Sequence, residues 1–180
     1  MKHLPHLVTF PRSGSHYFQD IIYKDTKINI EMSHSVTSIF DKDNNKQKTL
    51  ITIVRDPVDS ISSYLALQEV KYGPTNLPRL EQTLTEYVLM YSFLYDHADY
   101  VIDFKDLVES PDHVAKTVLK LLNINKKDYH LFTRSYNIRH SDYVESSKTL
   151  AGYKKLMLEE FNIELCYFYY NRLLSKKIVI

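Results

Sequence analysis

At 180 residues, with 44% hydrophobic and 25% charged residues, the chain has the size and make-up of a folded domain, which excludes a disordered tail. Lys and Arg number 23 against 22 Asp and Glu, and the formal net charge of +1 excludes a general pull toward nucleic acid or anionic membrane, so any anion site must be built from placed groups. The single cysteine, Cys166, excludes an intramolecular disulfide, and no Cys/His spacing of the zinc type is present.

The apolar run Leu7 to Phe10 is too short for a signal peptide or membrane span, so a cytoplasmic, reducing compartment is expected. His6 to Phe10 reads as the first strand, and a helix follows from near Ser15 towards Tyr23. Ile28 to Met32 alternates Ile28, Ile30 and Met32 with Asn29 and Glu31, the period of a half-buried strand. Leu50 to Val54 is almost entirely aliphatic and β-branched, as in a strand covered on both faces. Asp56 then stands as a helix N-cap with Pro57 as first helical residue, and Ile61, Tyr64 and Leu65 share one face.

Leu80, Leu84, Tyr87, Val88, Tyr91 and Leu94 keep helical spacing, which assigns them to the buried face of a further helix. Tyr100 to Phe104 is the fourth expected strand, and Ser110-Pro111 opens a helix with Val114, Val118, Leu121 and Leu122 inward. A single last helix is expected from about Leu150 to Ser175, with Cys166 buried in it as a small hydrophobe. Asp41 to Thr49, Lys71 to Arg79 and Asn125 to Lys148 read as loops. Strands alternating with helices predict one α/β domain over residues 1–180, a mainly parallel sheet flanked by helices.

Thr9-Phe10-Pro11-Arg12-Ser13-Gly14-Ser15-His16-Tyr17 joins the first strand to the first helix. Such a turn aims backbone N–H groups and the positive helix end at one point, which suits an anion. Gly14 permits close backbone approach, Ser13 and Ser15 add hydroxyl donors, and Arg12 adds a cation able to grip two oxygens. The Gly-Lys-Ser/Thr ending of nucleotide-triphosphatase loops is missing. A second motif follows Leu50–Val54: Arg55, then Asp56-Pro57, and Ser63 eight residues after the Arg. An Arg at a strand end and a Ser two turns into the next helix can converge on one phosphate; the alternative is an ion pair of Arg55 with Asp56 or Asp59. Both motifs lie at the carboxyl ends of expected strands, where open parallel sheets hold ligands.

Pro11 through Tyr17 resembles the 5′-phosphosulfate loop of sulfotransferases that use 3′-phosphoadenosine-5′-phosphosulfate (PAPS), and Leu50 through Ser63 resembles their 3′-phosphate motif. The resemblance implies a P-loop nucleotide-binding-like sulfotransferase fold, PAPS as donor and adenosine 3′,5′-bisphosphate (PAP) as product. It implies cofactor contacts from Arg12, Ser13, Gly14, Ser15, His16, Arg55 and Ser63, with Arg12 also on the transferring group and Tyr17 stacked on adenine in place of the usual Trp. Glu31-Met32-Ser33-His34-Ser35 is similar to the family's Lys-Ser/Thr-His segment, with His34 at the general base and Met32 in place of the Lys. Imidazole suits removal of a proton from an acceptor. Glu31 is the alternative carboxylate base.

Tyr100 to Ile124 resembles the family's Tyr-Glu-Asp-Leu strand and following helix, with Phe104 at the adenine-contacting Tyr. Ser147 and Lys148, followed by Gly152-Tyr153-Lys154, loosely resemble the segment that closes over the 3′-phosphate, and Arg139 is a further candidate contact. The function expected is sulfuryl transfer to a hydroxyl or amine of a small-molecule, glycan or peptide acceptor, without metal, nucleic acid or membrane span. The alternatives are a P-loop-type nucleotide kinase using magnesium and a non-catalytic nucleotide-binding module on the same fold.

Overall fold

Leu50–Val54 and the shorter His6–Val8 are mostly aliphatic, and both are buried along their whole length. They form the centre of the sheet. The computed structural model describes residues 5–26, 30–35, 49–123 and 146–178. Its elements in chain order are β1 (His6–Val8), α1 (Ser15–Thr26), β2 (Glu31–Ser33), β3 (Leu50–Val54), α2 (Pro57–Tyr72), α3 (Leu77–His97), β4 (Tyr100–Asp103), α4 (Phe104–Glu109), α5 (Pro111–Leu121), α6 (Ser146–Glu160) and α7 (Glu164–Leu174).

The four strands run in the order β2-β1-β3-β4, and every pairing is parallel. This is the expected α/β class. Side chains alternate across β3: Leu50 and Val54 join one core cluster, Ile51 and Ile53 the other. The first cluster is closed by α2, α3, α6 and α7, the second by α1, α4 and α5. Each fully buried Leu or Ile contributes about 1.5–3 kcal/mol, so the two covered faces, more than any surface ion pair, hold the layers together. Cys166 is buried at 2% exposure within the first cluster, and burial pushes its thiol pKa up to about 11.

Several boundaries differ from the sequence-based expectation, each for a local reason. β1 ends at Val8 because the Thr9 hydroxyl donates to the Ile53 carbonyl at 2.6 Å and the chain turns away. β2 begins at Glu31 and continues to Ser33, later than expected; residues 28 and 29 lie outside the described residues. β4 stops at Asp103 because the Asp103 carboxylate accepts the Lys105 N–H at 3.0 Å and caps α4, which takes in Phe104.

The loop expected over Lys71 to Arg79 shrinks to residues 73–76: Gly73, at φ 89°, ends α2, and Asn76 caps α3 by accepting the Arg79 N–H at 3.0 Å. Pro78 lies in the first turn of α3, where its missing N–H costs nothing. The expected single last helix is two helices broken at residues 161–163, where the Asn162 side chain accepts the Glu164 N–H at 2.9 Å. Helix α6 also starts earlier than expected, so 146–148 are helical. The expected loops over 41–48 and 125–145 lie outside the described residues.

Strand β1 has β2 on one side and β3 on the other, so the chain reverses its direction across the sheet between β1 and β3. In open parallel sheets the crevice above such a reversal, at the carboxyl ends of the strands, is where ligands bind.

Candidate functional site

Both expected phosphate motifs open into that crevice. After β1 the Ser13 N–H donates to the Phe10 carbonyl at 3.3 Å, and the Phe18 N–H donates to the Gly14 carbonyl at 3.0 Å to start α1. Arg12 at φ 68° and Gly14 at φ 92° are both left-handed, with Ser13 between them. Alternating hand curls consecutive N–H groups toward one concave point, and the first N–H groups of a helix have no intrahelical partner. The loop is therefore shaped as an anion cradle.

Gly14 is required twice over. Its φ is one that side chains rarely adopt, and a Cβ there would lie 2.8 Å from Phe104 Cδ2 and 3.3 Å from Leu107 Cδ2. Ser15 is buried, His16 is exposed, and Tyr17 is half-buried against the cluster that includes Phe104. Ser13 Oγ is buried beside the Tyr91 phenol.

The second motif reaches the same point. Arg55 is the first residue beyond β3, and its Nη1 donates to the Arg12 carbonyl at 2.8 Å. Its guanidinium lies over the Phe104 ring, 4.5 Å from the centroid, a contact of about 0.5–2 kcal/mol. Ser63, in the second turn of α2, accepts from Arg12 Nε at 3.2 Å. Arg12 thus joins Arg55 and Ser63, which lie 43 and 51 positions further along the chain. Of the two carboxylates near Arg55 in sequence, Asp56 caps α2 and accepts the Tyr167 hydroxyl at 3.1 Å, while Asp59 pairs with Lys154.

The backbone of Arg55 is held from α3. The Tyr87 hydroxyl donates to the Arg55 carbonyl at 3.1 Å, and the Arg55 N–H donates to the Tyr91 hydroxyl at 3.2 Å. From sequence these two tyrosines count only as the buried face of a helix. The available signal was chemical: a phenol on an otherwise apolar face needs a partner for its hydroxyl.

His34 follows β2 and is exposed. Its Nδ1 lies 2.8 Å from the Thr9 carbonyl oxygen. A carbonyl can only accept, so Nδ1 is the donor of that bond and Nε2 is the ring nitrogen left for another partner. Its ring is 6.4 Å from that of His16, which brings it beside the start of α1. Glu31 is placed elsewhere: at the other end of β2, its carboxylate lies 3.6 Å from buried His6. Three residue steps along the chain separate it from His34 by about 10 Å.

Ser147 and Lys148 stand in the first turn of α6, and their side chains lie outside the described residues, as does Arg139. Their neighbours turn onto α2: the Tyr153 hydroxyl donates to Glu69 at 2.5 Å, and Lys154 pairs with Asp59. Beyond Tyr64, whose ring packs edge-on against Phe10 at 5.8 Å, a groove of about 510 Å³ opens between α2 and α3. Gln68, Tyr72, Thr75, Asn76, Arg79 and Gln82 line it, and Arg79 reaches back to the Tyr64 hydroxyl at 3.4 Å.

No family model matches the chain, and no curated protein matches it. Among the described residues no helix is long and apolar enough to cross a membrane.

Proposed function

We propose that the chain is a PAPS-dependent sulfotransferase with the P-loop-like sulfotransferase fold, moving a sulfuryl group to a hydroxyl or amine. The observation that carries this is the convergence of Arg12, Ser63 and Arg55 on one loop above the β1/β3 reversal. The two motifs, read here as holding the two ends of one bisphosphate, are in contact through Arg12. The loop lacks the lysine that a phosphoryl-transferring P-loop uses, which favours a phosphosulfate over a magnesium nucleotide.

In this proposal Arg12 and the loop N–H groups hold the 5′ end, Arg55 and Ser63 hold the 3′-phosphate, and Tyr17 with Phe104 flanks the adenine. PAPS supplies an activated sulfuryl group when bound. His34 Nε2 takes the proton of the acceptor as the acceptor's oxygen or nitrogen bonds to sulfur and the bridging S–O bond breaks. The Thr9 carbonyl keeps the imidazole in the tautomer that step needs. Arg12 and the loop amides stabilise charge on the departing phosphate oxygen, donors already in place before the reaction begins. The amide-lined groove between α2 and α3 suits a hydroxyl-bearing acceptor.

The test is transfer of labelled sulfuryl from PAPS to a panel of sugar, phenol, peptide and amine acceptors. Transfer to at least one acceptor, lost in Arg12→Ala, is the expected result. Tight bisphosphate binding with no transfer to any acceptor would make the chain a binding module instead.

A further inference from the structure

Arg55 occupies an unusual place on the backbone. The β3 ladder ends one residue before it, where Val54 pairs with Asp103. The α2 ladder starts one residue after it, where the Asp56 carbonyl accepts the Ser60 N–H at 2.9 Å. Arg55 thus stands between two hydrogen-bonded systems. The side chain on this residue is the one that ties β3 to the anion loop through the Arg12 carbonyl.

Helix α3 fills the gap. Tyr87 and Tyr91, one turn apart, are both fully buried, and their rings stack at 4.0 Å with an interplanar angle of 23°. Phenylalanine would fill the same space. What the phenols add are hydroxyls, and each makes one bond to the main chain of Arg55, one donated and one accepted, on either side of its Cα. Phe10 packs edge-on against Tyr87 at 5.0 Å, which braces the pair from the root of the anion loop. Burial also raises the pKa of both phenols, so each keeps its proton through the neutral range.

We propose that Tyr87 and Tyr91 are positioning residues: their stacked phenols fix the backbone of Arg55 and so aim its guanidinium at the 3′-phosphate of a nucleoside 3′,5′-bisphosphate. The proposal rests on the reading of Arg55 as a 3′-phosphate ligand. It adds that selectivity for that phosphate is set from α3, outside both phosphate motifs. A pair acting only as core filling would affect stability and leave ligand selectivity alone.

Two measurements on Tyr87→Phe and Tyr91→Phe separate these cases. Amide hydrogen exchange, read by NMR without ligand, should quicken at Arg55 in Tyr91→Phe by about fivefold relative to Ile53, as expected for one lost hydrogen bond. Calorimetry should show the preference for adenosine 3′,5′-bisphosphate over 5′-AMP falling about fivefold in either variant, with 5′-AMP affinity nearly unchanged. In an Arg55→Lys background the same substitutions should add no further loss of preference. Unchanged relative exchange at Arg55, or equal weakening of both nucleotides, would overturn the proposal. A wild type that binds neither nucleotide overturns the functional reading and the phosphate half of this proposal together, and the exchange result then still decides whether the clamp exists.

Discussion

Arg12 Nε donates to Ser63 Oγ across 3.2 Å, joining the basic residue of the first motif to the last residue of the second. Each group is placed by its own element, Arg12 by the left-handed turn after β1 and Ser63 by α2. Removing either should weaken bisphosphate binding, and removing both should cost less than the sum. A double-mutant cycle on Arg12→Ala and Ser63→Ala should return a coupling of about 1 kcal/mol in binding free energy. Strict additivity would mean that the Arg12–Ser63 hydrogen bond does not couple the two motifs in binding.

Gly14→Ala should destabilise the fold by about 2 kcal/mol or more, since it combines an unfavourable positive φ with a Cβ pressed against Phe104. Adding Phe104→Ala removes the steric part and leaves the backbone strain. Urea melts should therefore show partial recovery of the glycine effect in the double variant, measured against Phe104→Ala alone. Full recovery would show that the conformation of Gly14 is unimportant.

His34→Ala should lower kcat for sulfuryl transfer by about 10²- to 10⁴-fold while the Kd for the bisphosphate stays nearly constant. The imidazole hydrogen-bonds the Thr9 carbonyl and is not among the groups of the Arg12–Ser63–Arg55 contacts. A large loss of binding would instead make His34 part of the cofactor cradle.

Alkaline pH should destabilise the chain in a defined window. Tyr167 has its pKa raised from 10.0 to about 12, first by burial and then by the Asp56 carboxylate that accepts its hydroxyl proton. A folded-state value above the unfolded one contributes stability that is whole below pH 10 and is lost as pH rises towards 12. Tyr167→Phe should make the fall in unfolding free energy across that window shallower. Identical slopes for wild type and variant would contradict the assignment.

Thr52 Oγ1 is buried in β3 with no hydrogen-bond partner among the described residues. An unmade hydrogen bond of this kind costs about 1–3 kcal/mol, so Thr52→Val, nearly the same shape, should raise stability by about 1 kcal/mol in a denaturant melt. A loss of stability would point to a partner for the hydroxyl.

Much of the candidate site's framework was legible because it rests on short-range signals. The aliphatic run before Arg55, the Asp56-Pro57 helix start and the position of Ser63 each follow from local chemistry, and β3 and α2 form where those signals place them. The parallel sheet followed from strands alternating with helices. What stayed hidden depends on contacts distant in sequence. Tyr87 and Tyr91 read as apolar spacing, and only the fold brings their hydroxyls to Arg55. The break between α6 and α7 carries no Gly or Pro, so Phe161-Asn162-Ile163 passes for helix in sequence. The α2–α3 turn misled in the other sense: Gly73, Pro74 and Pro78 suggested a long loop, yet Pro78 is a helix-start residue.

The most direct measurement is thermal unfolding with adenosine 3′,5′-bisphosphate against ATP with magnesium, on wild type and on Arg55→Ala. A ligand at a hundred times its Kd stabilises by about 2.7 kcal/mol, which raises Tm by several degrees in a domain of this size. The bisphosphate should produce that rise in wild type and little in Arg55→Ala, and ATP with magnesium should produce little in either. A larger rise with ATP and magnesium, or no rise with the bisphosphate, would contradict the assignment of this crevice to a phosphoadenosine cofactor.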